Sequence, residues 1–517
     1  MFDKTLIILD ISENITLERS NFDLINLGNG YVKSKNKYKK VELYDLLSSN
    51  FQYYRKELSK SLGSKLKKTL EKNSIDFNFL EISNMRNDKS NIFEKIITLA
   101  IIKNELNIKK YKEIIIYFDN KDYEKIYLGL FRNKTKIIFY NVNKINIKIP
   151  KYIYYMKYQL KLLIISSLCK IITPKKIINQ KDTLNICLDP KLIFRKKKAA
   201  NELNFILTDD THFTDTLYNN IKKVFINNEK KLLNIEYFVN IREIFLKFVE
   251  FVCVNKNVGR KFENFYFKNI QIGSLLNEYF QISLLNYFKI SNFQNAIKNA
   301  HKYLKPKIIN YYLFEYNFGF FIKKNFYDLN KRILFNGYQH GIFGENLFWF
   351  DIIKDNKSKK KYLPNKIHLK YNVSDKGYRQ NFKKKEIKKN VYEKKSSFTN
   401  LKIHKSSKNN LIILGLHDYK DTIKVINNYL NFTNQKLVFI CKVHPKMKLN
   451  FRKLKLNKRI KFVKEINNFK FSKIFISKYS TIAYEFIDKK KSFYIINKNI
   501  YDYNTQSILK KKMVYLK

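Results

Sequence analysis

The sequence predicts an α/β protein made of two parallel-sheet halves facing a central cleft, with a helical insertion in the N-terminal half. Three observations carry this reading. Short apolar runs alternate with stretches whose apolar residues recur at three- and four-residue steps, in the first 150 residues and again after 410. Strands separated by helices require crossover connections, which parallel sheets supply. A long helical stretch and then a Lys- and Ser-rich run without periodicity separate the two β/α regions. Each half is therefore expected to be Rossmann-like, with ligands bound outside the carboxyl ends of its strands.

The first unit, 1–150, has strand-like runs at Thr5–Asp10, Glu113–Asp119 and Thr135–Tyr140, with helical patterns near 41–62 and 92–106 between them. Its opening, MFDKTLIILDIS, reaches an Asp after a short apolar run and reads as a strand, not a signal peptide. Residues 151–305 form the helical insertion, broken by a basic connector over 178–200 and a strand candidate at Asn204–Thr208. Residues 306–382 are a strand-rich region completing the N-terminal half, opened by Ile308–Phe314, and 383–410 form a basic linker. Over 411–517 the β/α rhythm resumes: Leu411–Leu416, a helix at 420–431, Leu437–Val443, Ile460–Val463, Lys473–Ser477, a helix near 481–488 and Phe493–Ile496. Two glycines, Gly28 and Gly30, follow a strand-like DLINL and suit either a turn or a ligand-side loop.

Length and a 45% hydrophobic content give material for two or three domains and a large core. The net charge of +58 suggests nucleic acid, but only 11 of the 102 basic residues are Arg, whose planar fork reads phosphates and base edges. Lys is spread evenly, so no specific nucleic-acid partner is expected. Such a surface is still drawn to anionic lipid and phosphorylated ligands. Four cysteines stand far apart without metal-ligand spacing, pointing to a reducing compartment and no metal site. Residues 152–173 are strongly apolar yet carry Lys157, Lys161 and Lys170. Each central Lys costs about 2.5–3.5 kcal/mol on insertion scales, which disfavours spanning and leaves a packed helix or a membrane-surface helix.

Two segments carry chemistry. KVHPK (442–446) ends a strand, because Pro445 cannot donate to a ladder, and this leaves His444 at the strand's carboxyl end. There an imidazole can donate to a phosphate or protonate a leaving group. SKYSTIAYE (477–485) ends the next strand but one and starts a helix. Ser480 or Thr481 is the expected N-cap, anions suit such helix starts, and Glu485 one turn in could accept ribose hydroxyls. A simple turn and a simple cap are the plain alternatives. The second segment is GYQHGIFGEN (337–346). Gly337 and Gly341 bracket Gln339 and His340, which would let backbone N–H groups approach a ligand, although a hairpin would also use them. Glu315, after a strongly apolar strand, is a base candidate, with His340 second, and His417, at the end of a strand, is a candidate for the cleft lining.

The paired HP and Ser-Thr motifs resemble the donor-binding half of bacterial sialyltransferases, polysialyltransferases and related capsule and teichoic-acid polymerases. The Gln339–His340–Gly341 turn is similar to that of surface carbohydrate (O-antigen) biosynthesis proteins. These resemblances, which cover roughly 300–500, imply a GT-B glycosyltransferase without metal or other cofactor. They imply a CMP- or CDP-linked sugar donor held by His444, Pro445, Ser480 and Thr481. They imply a glycan or lipid-linked acceptor and a cytoplasmic protein peripheral on the membrane's inner face. The acidic motif that supplies the base in several of those enzymes is absent, since Asp209–Asp210 is followed by Thr211. A non-catalytic scaffold of the same fold and a basic nucleic-acid-binding protein are the other classes considered.

Overall fold

The computed structural model describes residues 4–61, 92–187, 201–339, 361–389, 398, 401–444, 456–496 and 512–514. Within those spans 12–14, 29–31, 107–109, 120–122, 132–135, 143–149, 210–212, 259–263, 313–316, 380–381, 416–418, 433–435, 467–468, 478–479 and some single positions lie outside the description. The chain is a mixed α/β protein with three large parallel sheets where the sequence predicts two.

The first sheet takes β1 (Thr5–Asp10), β3 (Phe22–Asn26), β5 (Lys39–Lys40), β6 (Glu113–Phe118) and β7 (Lys136–Asn141) in the order β5-β3-β1-β6-β7. A side ladder pairs β2 (Ile15–Leu17) with β4 (Val32–Ser34). The order reverses between β1 and β6, as in doubly wound folds. Alternate β1 residues enter opposite cores, Leu6 and Ile8 on one face, Ile7 and Leu9 on the other, so both faces are covered. The opening residues thus form the strand that their pattern predicts. Gly28, just past β3, is a close approach: a Cβ there would sit 2.1 Å from the Ile11 carbonyl oxygen.

The second sheet is the larger surprise. It has seven strands, β8 (Thr183–Ile186), β9 (Glu202–Ile206), β10 (Leu233–Asn234), β13 (Ile308–Tyr312), β14 (Leu334–Tyr338), β15 (Lys366–His368) and β16 (Ile387–Lys388). They run parallel in the order β10-β9-β8-β13-β14-β15-β16, reversing between β8 and β13. The region expected to be a helical insertion therefore supplies three of this sheet's strands, and the expected basic linker supplies its edge strand β16. Helices Lys151–Ile172, Leu217–Glu229, Ile241–Val258, Gly273–Ser291 and Gln294–Leu304 do fill much of 151–305, with the small hairpin β11 (Tyr266–Phe267) and β12 (Ile270–Gln271). Register across the sheet centre is marked by a row of asparagines. Asn336 donates to Asn310 (2.9 Å), Asn310 to Asn185 (2.9 Å) and Asn185 to Asn204 (3.3 Å). Their pairing in the ladder is in step, Asn204↔Asn185↔Asn310↔Asn336, and a one-residue slip would break every link. One apolar cluster runs from Leu6 to Ile387, so the first two sheets share a core.

The third sheet has β17 (Asn409–Ile413), β18 (Val438–Lys442), β19 (Ile460–Val463) and β20 (Lys473–Ile476), ordered β19-β18-β17-β20. A bridge from Phe475 to Tyr494 leads to β21 (Ile495–Ile496), which pairs with β22 (Met513–Val514). Leu411 and Ile413 face one core, Ile412 and Leu414 the other. Helix Tyr419–Phe432 connects β17 to β18, and the short helix Ile482–Asp488 follows β20.

The apolar segment 152–173 lies in helix Lys151–Ile172, whose Tyr155 packs on Phe251 and Phe288. Lys161 is turned inward to Asp209, and Lys170 donates to the Val239 carbonyl (2.7 Å). Among the described residues no helix is long and apolar enough to cross a membrane.

Candidate functional site

Each parallel sheet has a carboxyl edge with a topological reversal, the place where ligands bind open α/β sheets. The three edges differ in charge. At the first, the Asp10 carboxylate pairs with Lys95 and accepts the Tyr127 hydroxyl (2.7 Å), while the Lys95 ammonium stands 3.6 Å from the Tyr123 ring centre. At the second, beyond β9 and β10, Glu236 accepts both the amide (2.9 Å) and the hydroxyl (2.8 Å) of Thr208. Burial pushes the Glu236 carboxyl up to about 7. Beside it Asp209 is neutralised by Lys161, whose ammonium also donates to the Asp215 carbonyl (2.9 Å). Of the described carboxylates, Asp10, Asp209 and Glu236 are engaged by internal partners.

The third edge is built differently. In register, Lys442 on β18, Ile413 on β17 and Ile476 on β20 form one row at the sheet's end. The ladders close just beyond it: Leu414 N–H donates to Lys442 (3.2 Å), Val443 N–H to Val463 (3.2 Å), and Ser477 N–H to Ile413 (2.9 Å). His444 and Ser477 therefore leave the sheet on either side of β17, from strands about 10 Å apart at a strand spacing near 4.8 Å. His444 is half-buried, and Ser480 and Ser477 are buried. Among the described residues the Ser477 hydroxyl has no hydrogen-bond partner, although its oxygen is fully shielded. A buried unpaired hydroxyl costs about 1–3 kcal/mol, an expense that a bound polar group would relieve. Lys442 adds a cation whose ammonium reaches the carbonyls of Val443 (3.4 Å) and Lys464.

The sequence-predicted residues fall out as follows. His444, Ser480 and Thr481 lie on this common edge. Ser480, not Thr481, accepts from the helix, its Oγ taking the Ile482 N–H (3.4 Å). Thr481 sits at the cap position, but its side chain makes no capping bond. Glu485 is ion-paired with Lys489 (3.2 Å), one turn further from the strand edge, so its carboxylate is already engaged. Gly337 is not in a turn. It lies buried within β14, its backbone in register with Tyr311 and Ile367. Gln339 is a clasp, not a cleft residue: fully buried, its Nε2 donates to Ser374 (2.9 Å) and its Oε1 accepts from the amides of Lys370 (3.1 Å) and Tyr371 (3.2 Å). The sequence pattern places polar groups near glycines without telling a ligand loop from a clasp. Glu315, His340, Gly341, His417 and Pro445 lie outside the described residues. Sequence reasoning passed over Ser477 and Lys442, although both stand at the ends of predicted strands, which was the available signal. Nothing in the IEYF context marks Glu236, whose role comes from burial alone.

Among the described residues no three His, Cys, Asp or Glu side chains gather as a metal cluster. No family model matches the chain, and no curated protein matches it. One solved structure, titled as that of the glycotransferase of kitacinnamycin, aligns over 65% of this chain and 86% of that one. The identity is 6% and the TM-score 0.32, too distant a likeness to fix fold or chemistry.

Proposed function

We propose that the chain is a glycosyltransferase that moves a sugar from a nucleotide-sugar donor to a surface polysaccharide or lipid-linked glycan. The observation that supports this most is the third sheet's carboxyl edge, which carries an imidazole and a lysine at the end of β18 and an unpaired buried hydroxyl at the end of β20, on either side of β17. At the other two edges the described carboxylates Asp10, Asp209 and Glu236 are engaged internally and offer a phosphate no cation.

In this reading the donor phosphate lies at the end of β17, between His444 on one side and Ser477, Ser480 and Thr481 on the other. The anomeric carbon–oxygen bond to the nucleotide breaks as the acceptor oxygen attacks, and His444 protonates or hydrogen-bonds the departing phosphate. The acceptor proton goes to Glu315, which follows β13 by three residues in sequence, with His340 the second candidate. A CMP- or CDP-linked donor is the first to try, on the motif resemblance.

The test is a thermal-shift and calorimetric screen against CMP, CDP and UDP, followed by His444→Ala, Ser480→Ala and Ser477→Ala. A nucleotide at about 100 times its Kd should stabilise the protein by about 2.7 kcal/mol. His444→Ala should lose transfer and weaken binding with the fold intact. Ser477→Ala should hold or raise stability while lowering nucleotide affinity, a split that a merely structural hydroxyl would not give. If none of the three nucleotides binds, the non-catalytic scaffold reading replaces this one.

A further inference from the structure

Two packed helices leave a second apolar face turned to solvent. In the helices Lys151–Ile172 and Ile241–Val258, Tyr155 stacks against Phe248 (6.2 Å) and meets Phe251 (4.5 Å). On the opposite side of the first helix Leu160, Ile164 and Ile171 are 54%, 44% and 81% exposed, at spacings of four and seven residues. On the second, Phe245, Val249 and Val252 are 61%, 59% and 38% exposed, again one helical stripe. Scattered exposed apolar residues need no explanation, but an apolar stripe on each of two packed helices marks an interaction surface.

The charges say which kind. Helix Lys151–Ile172 has no acidic residue. Of its lysines, Lys161 is turned inward onto Asp209, which keeps it off the outer stripe, while Lys157 and Lys170 are exposed, the latter also donating to the Val239 carbonyl. Exposed Lys175 and Lys176 follow its C-terminal end; the second helix has exposed Arg242 and Lys256 near its two ends and two acids, Glu243 and the Lys247-paired Glu250. Tyr152 and Tyr154, about half exposed, stand at the first helix's start, where aromatic rings suit a membrane interface. A second copy of a chain carrying +58 would bring one cationic rim against another. An anionic bilayer offers the opposite charge together with an apolar interior within reach of the stripes.

We propose that this two-helix face docks the protein on an anionic membrane surface, its apolar stripes entering the headgroup–acyl boundary and its lysines contacting lipid headgroups. The bilayer is a docking surface here and is not crossed. The proposal is independent of the glycosyl-transfer reading, since either can fail without the other.

The experiment is vesicle flotation of the full chain at about 0.15 M salt, where diffuse surface attraction is largely screened. Vesicles of phosphatidylcholine with about one third phosphatidylglycerol are compared with pure phosphatidylcholine, the anionic fraction being that which attracts lysines. The variant Leu160→Ser/Ile171→Ser/Phe245→Ser/Val249→Ser keeps every charge. Wild type should float with the anionic vesicles, and the variant should partition at least tenfold less at unchanged helicity. As a second measurement, an environment-sensitive dye on Cys253, which is exposed and sits next to Val252, should shift to the blue on anionic vesicles. Equal flotation of wild type and variant would overturn the proposal in favour of a diffuse lysine effect. So would absence of flotation, or a wild-type dimer that the four serines dissociate, which would make a second copy the occupant.

Discussion

Glu236→Gln isolates the cost of a buried acid. Glu236 is 2% exposed, and burial, its largest influence, pushes its carboxyl from 4.5 up to about 7 against the hydrogen bonds from Thr208 and its own amide. The folded protein therefore holds a proton that the unfolded chain has released. Stability from this group is fully present below about pH 4.5 and is lost as pH rises through 7. At 1.36 kcal/mol per pH unit the loss is about 3 kcal/mol. Glutamine is uncharged throughout and has no such slope. It also fits: its carbonyl can take the Thr208 amide, and the Thr208 hydroxyl can turn its proton to Asn234, whose Oδ1 is 3.3 Å away. The melting temperatures of wild type and variant should thus be close at pH 5. By pH 8 the variant should melt higher, by about 3–4 °C, since at about 2.1 cal/mol/K per residue 1 kcal/mol moves a unit sharing the core from Leu6 to Ile387 by only about 1 °C. Scanning calorimetry of both proteins across that range gives the difference, in which the rest of the chain's titration cancels. A gap that stays constant with pH would refute the argument, because it would mean that Glu236 is ionised in the folded state at both ends.

Two further substitutions test the fold. Asn310→Leu, in the middle of the asparagine row, strips the Asn336 Nδ2 of its acceptor and the Asn185 Oδ1 of its donor and should cost about 2–5 kcal/mol, whereas Asn336→Leu at the row's end removes only the donor to the Asn310 Oδ1 and should cost about half as much. Denaturant midpoints compare the two. Gly28→Ala places a methyl within van der Waals overlap of the Ile11 backbone. It should cost at least about 1–3 kcal/mol by overpacking, read as faster amide exchange in β1 and β3.

The strand pattern was readable wherever an apolar run stood between clear breaks. Thr5–Asp10 and Ile460–Val463 coincide with their predicted bounds, and Glu113–Phe118, Val438–Lys442, Lys473–Ile476 and the helix Tyr419–Phe432 lie within a residue or two of theirs. The second sheet was not readable as a unit. Two of its strands, β10 and β16, are two residues long, too short for any periodicity, and Asn185 and Asn310 interrupt the apolar runs of β8 and β13. Those asparagines are polar because they bond one another across four strands, information that a single strand does not hold. At the third edge the pattern gave His444, Ser480 and Thr481 their place near strand ends. It also held the signal for the Glu485–Lys489 pair, because a glutamate four residues before a lysine faces it on a helix surface.

Gln339 carries the last consequence, because it links the second sheet to the helix beside the proposed phosphate site. Its side chain fixes the backbone of 370–371 and the Ser374 hydroxyl, and in the same short segment the amides of Asn372 and Val373 each donate to the Asp488 carboxylate (2.9 Å) at the end of helix Ile482–Asp488. Tyr371 packs on Tyr484 of that helix, ring centres 5.7 Å apart. The Asp488 contact is exposed, so alone it should contribute no more than about 1 kcal/mol, as a carboxylate at the start of a helical turn does. Gln339→Leu takes the partner from the buried Ser374 hydroxyl and Tyr371 amide and from the part-buried Lys370 amide, and frees the segment that presents the Asn372 and Val373 amides. If the clasp is what holds them in place, Asp488→Ala should speed amide exchange in 482–488 in the wild-type background and do nearly nothing after Gln339→Leu. The cycle would then show a coupling close to the whole Asp488 contribution, about 1 kcal/mol, between side chains that do not touch. Additive effects would mean that the segment keeps its shape without Gln339, and the glutamine would then be a local core group with no hold on the helix that carries Ser480 and Thr481 at its start.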